Sequence, residues 1–168
     1  MTNALTFGPR IGYDAGMSAE DKIRDLGLDL GSAGAPAGNY VPAVRTGNLI
    51  FISGQLPTRP DGTRPTGKLG ATMSVDEGVE AARLCGVALL ARLREAAGSL
   101  DNVKRIVKVV GYVNAIPEFI QHPQVVNGAS DLLAEVFGEA GKHARAAIGV
   151  SSLPAGCPVE VELIAEVE

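Results

Sequence analysis

From Val75 onward the chain places Val75, Val79, Ala82, Gly86, Leu89, Leu93 and Ala96 three or four positions apart. That spacing gathers side chains into one stripe of an α-helix. Ser74 and Glu77 have the capping-box separation at its start, and the pattern runs to Gly98. The period changes in VKRIVKVVGYVN, residues 103–114, which is rich in β-branched residues and sets Lys104 and Lys108 on the opposite parity from Val107 and Val109. This segment is predicted as a strand. Upstream, YVPAVRTGNLIFISGQLP carries two apolar stretches around Thr46-Gly47-Asn48, the signature of a hairpin. A second helix is predicted over about Val126 to Phe137, with Leu133, Val136 and Phe137 turned inward and Gly138 or Gly141 closing it. Two last strands surround residues 151–158, the second alternating Val159, Val161, Leu163 and Ala165 against Glu160 and Glu162.

The predicted order is therefore ββαβαββ, an α+β fold with a β-sheet and two helices packed on one of its faces. The other strand positions are also rich in Val, Ile, Leu and Ala, so the second face needs cover. Self-association supplies it most simply, and a homo-oligomer with clefts between subunits is expected. Before this domain, SAEDKIRDLGLDL (18–30) spaces Ile23, Leu26 and Leu30 as a short amphipathic helix behind a Ser cap. GSAGAPAG (31–38) then has the composition of a linker. Residues 1–38 are accordingly expected to form an N-terminal arm outside the main fold, and 39–168 the domain itself.

Composition narrows the function. With 46% hydrophobic and 20% charged residues in 168, the chain is that of an ordinary globular protein. Its net charge of −4 and the lack of a basic stripe argue against a nucleic-acid partner. Cys85 and Cys157 form no metal-ligand spacing and are expected as free thiols. No apolar run suits a signal peptide or a membrane span, so a cytoplasmic protein is expected.

Arg145 is the residue that most needs explaining. It stands among Ala144, Ala146 and Ala147, with no adjacent acid to balance it. Two readings are open. One is a structural ion pair with Glu160 or Glu162 across a terminal hairpin. In the other, the planar guanidinium holds the carboxylate of a ligand, for which small neighbours leave room. Glu160 and Glu162 share one face of their strand and read either as two solvated acids or as a pair of which one orients a water. His122 and His143, the only histidines, are expected at the surface and not at one site. Ser53 lacks the Gly-x-Ser-x-Gly context of a nucleophile, and the glycines match no phosphate-binding fingerprint.

GNYVPAVRTGNLIFISGQLP, VNGASDLLAEVFGEAGKHARAAIGVSSLP and the VEVE strand, in that order, resemble the RidA/YjgF family, also called the L-PSP endoribonuclease family, and its longer YjgF/chorismate-mutase-like subgroup. The resemblance covers Tyr40 to Glu168. It implies a subunit like chorismate mutase of the trimeric type, a homotrimer with three inter-subunit clefts, and hydrolysis of reactive enamines and imines such as 2-aminoacrylate to 2-oxo acids and ammonia without metal or cofactor. By motif position it implies that Arg145 binds the substrate carboxylate and Glu160 positions the hydrolytic water. It also implies that Tyr40, Ser53 and the Gly54 backbone line the pocket, and Asn127 matches an asparagine of the family's second-helix motif. The sequence departs from the family at His143 and Ala147, where proline and cysteine are frequent. Alternatives in descending order are a non-catalytic trimer that binds small carboxylated metabolites, an endoribonuclease and a chorismate mutase.

Overall fold

A computed structural model of the chain describes residues 17–31 and 38–168. The elements follow the predicted order: helix α1 (Ala19–Asp25), strands β1 (Ala43–Thr46) and β2 (Leu49–Gln55), helix α2 (Val75–Ala97), strand β3 (Val103–Asn114), helix α3 (His122–Phe137), and strands β4 (Ala144–Val150) and β5 (Val159–Val167). The capping box at Ser74 is present in both directions, and Gly98 ends α2 in the left-handed conformation at φ 78°. A side chain would strain the chain there. Helix α3 starts earlier than its apolar spacing indicates. Pro123 occupies its first turn, where the missing N–H costs nothing and the fixed φ suits a helix.

The five strands form one sheet in the order β1-β2-β5-β3-β4, antiparallel throughout except that β3 and β4 run parallel. This corrects the expected terminal hairpin. β4 and β5 are adjacent in sequence but separated in space by β3, because α3 forms the crossover that parallel strands require and leaves β4 as the sheet edge. The pairing thus removes the hairpin through which Arg145 was to reach Glu160 or Glu162.

Helices α2 and α3 cover one face of the sheet. Leu89, Leu90, Leu93, Leu132 and Leu133 are completely buried, each contributing about 1.5–3 kcal/mol by removal from water. The two helices touch closely at Gly128, where a Cβ would stand 2.0 Å from the Val79 carbonyl oxygen. The sheet contributes Ile52, Val109, Val113, Val159, Val161, Leu163 and Ala165 to this core. Its opposite face stays open in the single chain. There the strand register sets Val44, Phe51, Ile164, Lys108 and Ala144 in one row, and Glu160, Tyr112 and Ile148 in another. Val44, Phe51 and Ile148 are exposed.

The helix expected in an arm outside the main fold is docked on it. Ile23 and Leu30 belong to the hydrophobic core, Glu20 Oε1 accepts from the Leu100 N–H at 3.0 Å, and the Glu20 N–H donates to Asp101 Oδ1 at 3.1 Å. The amphipathic pattern of 18–30 has a partner face to bury against, so the helix does not stand apart. Residues 32–37 of the expected linker, which border the expected domain boundary, lie outside the described residues.

Candidate functional site at the sheet edge and open face

Arg145 lies on β4 beside Val109, which pairs with Leu163 on β5. It therefore ends a buried apolar row on the helix-covered face, and its head group emerges at the sheet edge under α3. There Nη1 donates to Asn127 Oδ1 at 2.8 Å and to Ser130 Oγ at 3.0 Å, while Nη2 donates to the Pro123 carbonyl at 3.2 Å. Pro123, Asn127 and Ser130 are spaced i, i+4 and i+7, one stripe of α3. All three acceptors are neutral. Among the described residues Arg145 makes no ion pair. Three of its five N–H donors are engaged, and two remain for a further oxygen acceptor. Beside it lies a shallow groove of about 430 Å³ lined by Ile120, Gln121, Pro123, Gln124, Asn127 and Arg145.

The second group lies on the open face. Glu160 pairs with Tyr112 of β3, and its carboxylate fills the space above Gly54, where a Cβ would fall 2.0 Å from Oε1. The β2–β5 register shifts between Ile52 and Gln55, so Ser53 and Gly54 sit in an irregularity of β2 beside Glu160. Burial, and then the neighbouring Glu162, hold the Glu160 carboxyl above the ordinary value of 4.5. Burial and Glu162 likewise raise the Tyr112 phenol. The Ser53 hydroxyl donates to the Val41 carbonyl at 2.9 Å and its N–H to the Pro42 carbonyl at 3.0 Å. Ser53 thereby ties the segment entering β1 to β2, and with it Tyr40, which is half exposed.

The expected site residues thus fall into two clusters. Arg145 and Asn127 are in direct contact, and so are Gly54 and Glu160, with Ser53 next to Gly54 and Tyr40 on the adjoining segment. The structure does not bring the clusters together within one chain. Strand β3 lies between β4 and β5, and the pairing parity sends Arg145 to the helix side of the sheet and Glu160 to the open side. Ser130, the Pro123 carbonyl, Tyr112 and His143 were not anticipated. The polar stripe on α3 is the signal that could have found the first two.

The histidines are partly buried and serve different places. His122 opens α3, stacked edge-on against Phe119 with ring centroids 5.2 Å apart. His143 bonds Ser130, eight residues and about 12 Å further along the helix. They form no acid–base pair within the chain.

A five-stranded mixed sheet with its long helices on one face, and an arginine presented on neutral oxygens at its edge, defines an α+β protein of the chorismate mutase-like class. The chain belongs to the RidA/YjgF family: the family described as "YjgF/chorismate mutase-like, putative endoribonuclease" matches residues 20–167. That match reaches back into α1. Protein TCP17 of Trypanosoma cruzi is 47% identical over 145 residues, 86% of this chain and 91% of that protein. The crystal structure of a protein of unknown function from Agrobacterium tumefaciens is 42% identical, with a TM-score of 0.81 over 89% of this chain and 93% of that one. At 25% identity and a TM-score of 0.60, over 83% of this chain and 96% of the other, the chain is also similar to E. coli TdcF with bound serine. No helix among the described residues is long and apolar enough to cross a membrane.

Proposed function

We propose that the protein hydrolyses reactive 2-imino acids, and the enamines that tautomerise to them, to 2-oxo acids and ammonia. The observation that carries this reading is the Arg145 guanidinium, held by three neutral oxygens and by no carboxylate among the described residues. A cation fixed in this way, with donors to spare, is matched to a small carboxylate. The serine bound to TdcF is a small carboxylate of that kind.

Chemistry on such a ligand asks little of the protein. The carbon of a protonated imine is already electrophilic, so holding the carboxylate on Arg145 and aiming one water supplies much of the needed orientation. Water attacks C2 and gives up a proton to Glu160, forming a carbinolamine. Glu160 returns the proton to the nitrogen, the C–N bond breaks and ammonia leaves, while the carbinolamine hydroxyl passes its proton to the freed Glu160 carboxylate to become the 2-oxo group, and that proton leaves with ammonia as ammonium. A carboxyl raised above its ordinary range suits both halves of this exchange. Because Arg145 and Glu160 lie on opposite sides of one sheet, the reading requires the edge of one copy to meet the open face of another. A homotrimer with three such clefts meets that requirement, and it covers the exposed Val44, Phe51 and Ile148.

One observation favours a second reading, a non-catalytic carboxylate binder: the Arg145 cluster is held in place without any contribution from Glu160. The two readings part on catalysis. A 2-imino acid such as 2-aminoacrylate is generated in situ and what remains is trapped with semicarbazide, in the presence of wild type, Arg145→Ala or Glu160→Ala. Depletion by wild type alone supports hydrolysis. Three traces that match the buffer blank, alongside wild-type binding of pyruvate, support the binder.

A further inference from the structure

Behind Arg145 a second set of contacts leads away from the ligand side. His143 Nδ1 stands 2.6 Å from the Gly141 carbonyl oxygen, and a carbonyl only accepts, so Nδ1 carries a proton. At the far side of the ring, Nε2 lies 3.0 Å from Ser130 Oγ. In the neutral ring Nε2 is an acceptor, and the Ser130 hydroxyl donates to it. That leaves the lone pairs of Ser130 Oγ for the Arg145 Nη1–H, 3.0 Å away. Each bond in the run Arg145, Ser130, His143, Gly141 then pairs a donor with an acceptor and polarises the next in the same sense.

We infer that His143 is a positioning residue, which fixes the Arg145 guanidinium for carboxylate binding by accepting the hydrogen bond of the Ser130 hydroxyl. The inference rests on the reading of Arg145 as the carboxylate anchor. A helical serine ordinarily turns its hydroxyl back to the carbonyl four residues earlier, here Val126. With His143 present the hydroxyl has a better acceptor on the other side, and its lone pairs stay aimed at Nη1. The ring is itself held from two elements, Ser130 within α3 and Gly141 in the turn that follows it. Burial, and the guanidinium nearby, lower the His143 pKa from 6.5, in keeping with a neutral ring at this place. The histidine thus accepts a hydrogen bond without setting a second cation against the first.

The test compares His143→Leu, which removes the acceptor, His143→Gln, which offers an amide oxygen near the place of Nε2, and Ser130→Ala. Nitrogen-15 NMR of the Arg145 side chain, assigned by its loss in Arg145→Lys, reads guanidinium rotation without any ligand. Pyruvate is the carboxylate probe in parallel titrations. Separate, slowly exchanging Nη signals are expected in wild type and His143→Gln, and a single averaged signal in His143→Leu and Ser130→Ala. The pyruvate Kd is expected to rise about tenfold in the latter two, the effect of losing one hydrogen bond to a charged group, and to stay within about threefold of wild type in His143→Gln. The inference is overturned if His143→Leu keeps separate Nη signals, or if His143→Gln averages them as His143→Leu does. Should His143→Leu fail to fold, His143→Ala, which likewise offers no acceptor to Ser130, carries the same decision. Should pyruvate bind none of the proteins, the carboxylate-anchor reading fails, and with it the purpose assigned to His143.

Discussion

The two clusters treat charge in opposite ways. At the sheet edge Arg145 has three oxygen acceptors turned toward it, so its surroundings support a permanent positive charge. On the open face Glu160 is partly buried next to a second carboxylate, so its surroundings disfavour the charge it carries. On the proposed reading, the first region keeps its charge and the second exchanges a proton. An anchor and an acid–base group differ in this respect, and the difference can be attacked from both sides.

The largest effect is expected from the paired variants Arg145→Ala and Glu160→Gln. Glu160→Gln should lower kcat/KM for imine hydrolysis by about 10²–10⁴-fold, the range for an acid–base group, while the pyruvate Kd changes little. Arg145→Ala should also abolish hydrolysis but weaken pyruvate by about two orders of magnitude, as for a lost charged anchor. Equal losses of pyruvate binding in the two variants would dissolve the distinction. Next in size is Gly54→Ala. Its Cβ must displace the Glu160 carboxylate, so turnover should fall by about ten- to a hundredfold, as for a misplaced reacting group, with pyruvate binding intact. A crystal structure of that variant would show whether the carboxylate has moved.

Smaller still is the effect of Glu162→Gln. Removing the neighbouring negative charge lowers the Glu160 pKa, so the acid limb of the pH–rate profile should move to lower pH while the alkaline limb stays. Glu160→Gln also supplies the smallest prediction, in stability. Because the folded pKa of Glu160 lies above its ordinary 4.5, the native state holds that proton more tightly than the unfolded state does. Stability is then lost as pH rises from about 4.5 through the raised value. Glu160→Gln lacks this loss, so its Tm should gain on wild type between pH 4 and pH 7. An unchanging Tm difference would mean that the carboxylate is not strained by its site.

Much of the fold was legible because local patterns carry it. The strand read at 103–114 is β3, the Ser74 cap and Gly98 stop bound α2, and the alternation about Glu160 and Glu162 is that of β5. Which strands are neighbours is not written in such periods. An alternating segment shows which of its faces is buried but not what lies beside it, and so β4 was expected against β5 and lies against β3. The same gap hid the opposed directions of Arg145 and Glu160, which depend on register across three strands. Helix α1 was placed outside the domain because a Gly- and Ala-rich segment follows it, although Ile23 and Leu30 are core residues. At the site, Arg145 drew attention by itself through its small, uncharged neighbours, and the family resemblance supplied Asn127. Ser130 and His143 stayed hidden because their role lies in a path of hydrogen bonds between elements, which no spacing along one element displays.

The opposed faces also have a genetic meaning. If an edge and an open face meet only between copies, a chain that lacks Arg145 still offers a sound Glu160, and a chain that lacks Glu160 still offers a sound Arg145. Co-expressed, two alleles that are each inert would rebuild working clefts wherever the right edge meets the right face. Loss of function in this protein would then belong to pairs of neighbouring chains rather than to single ones, and two defective genes could complement each other in one cell.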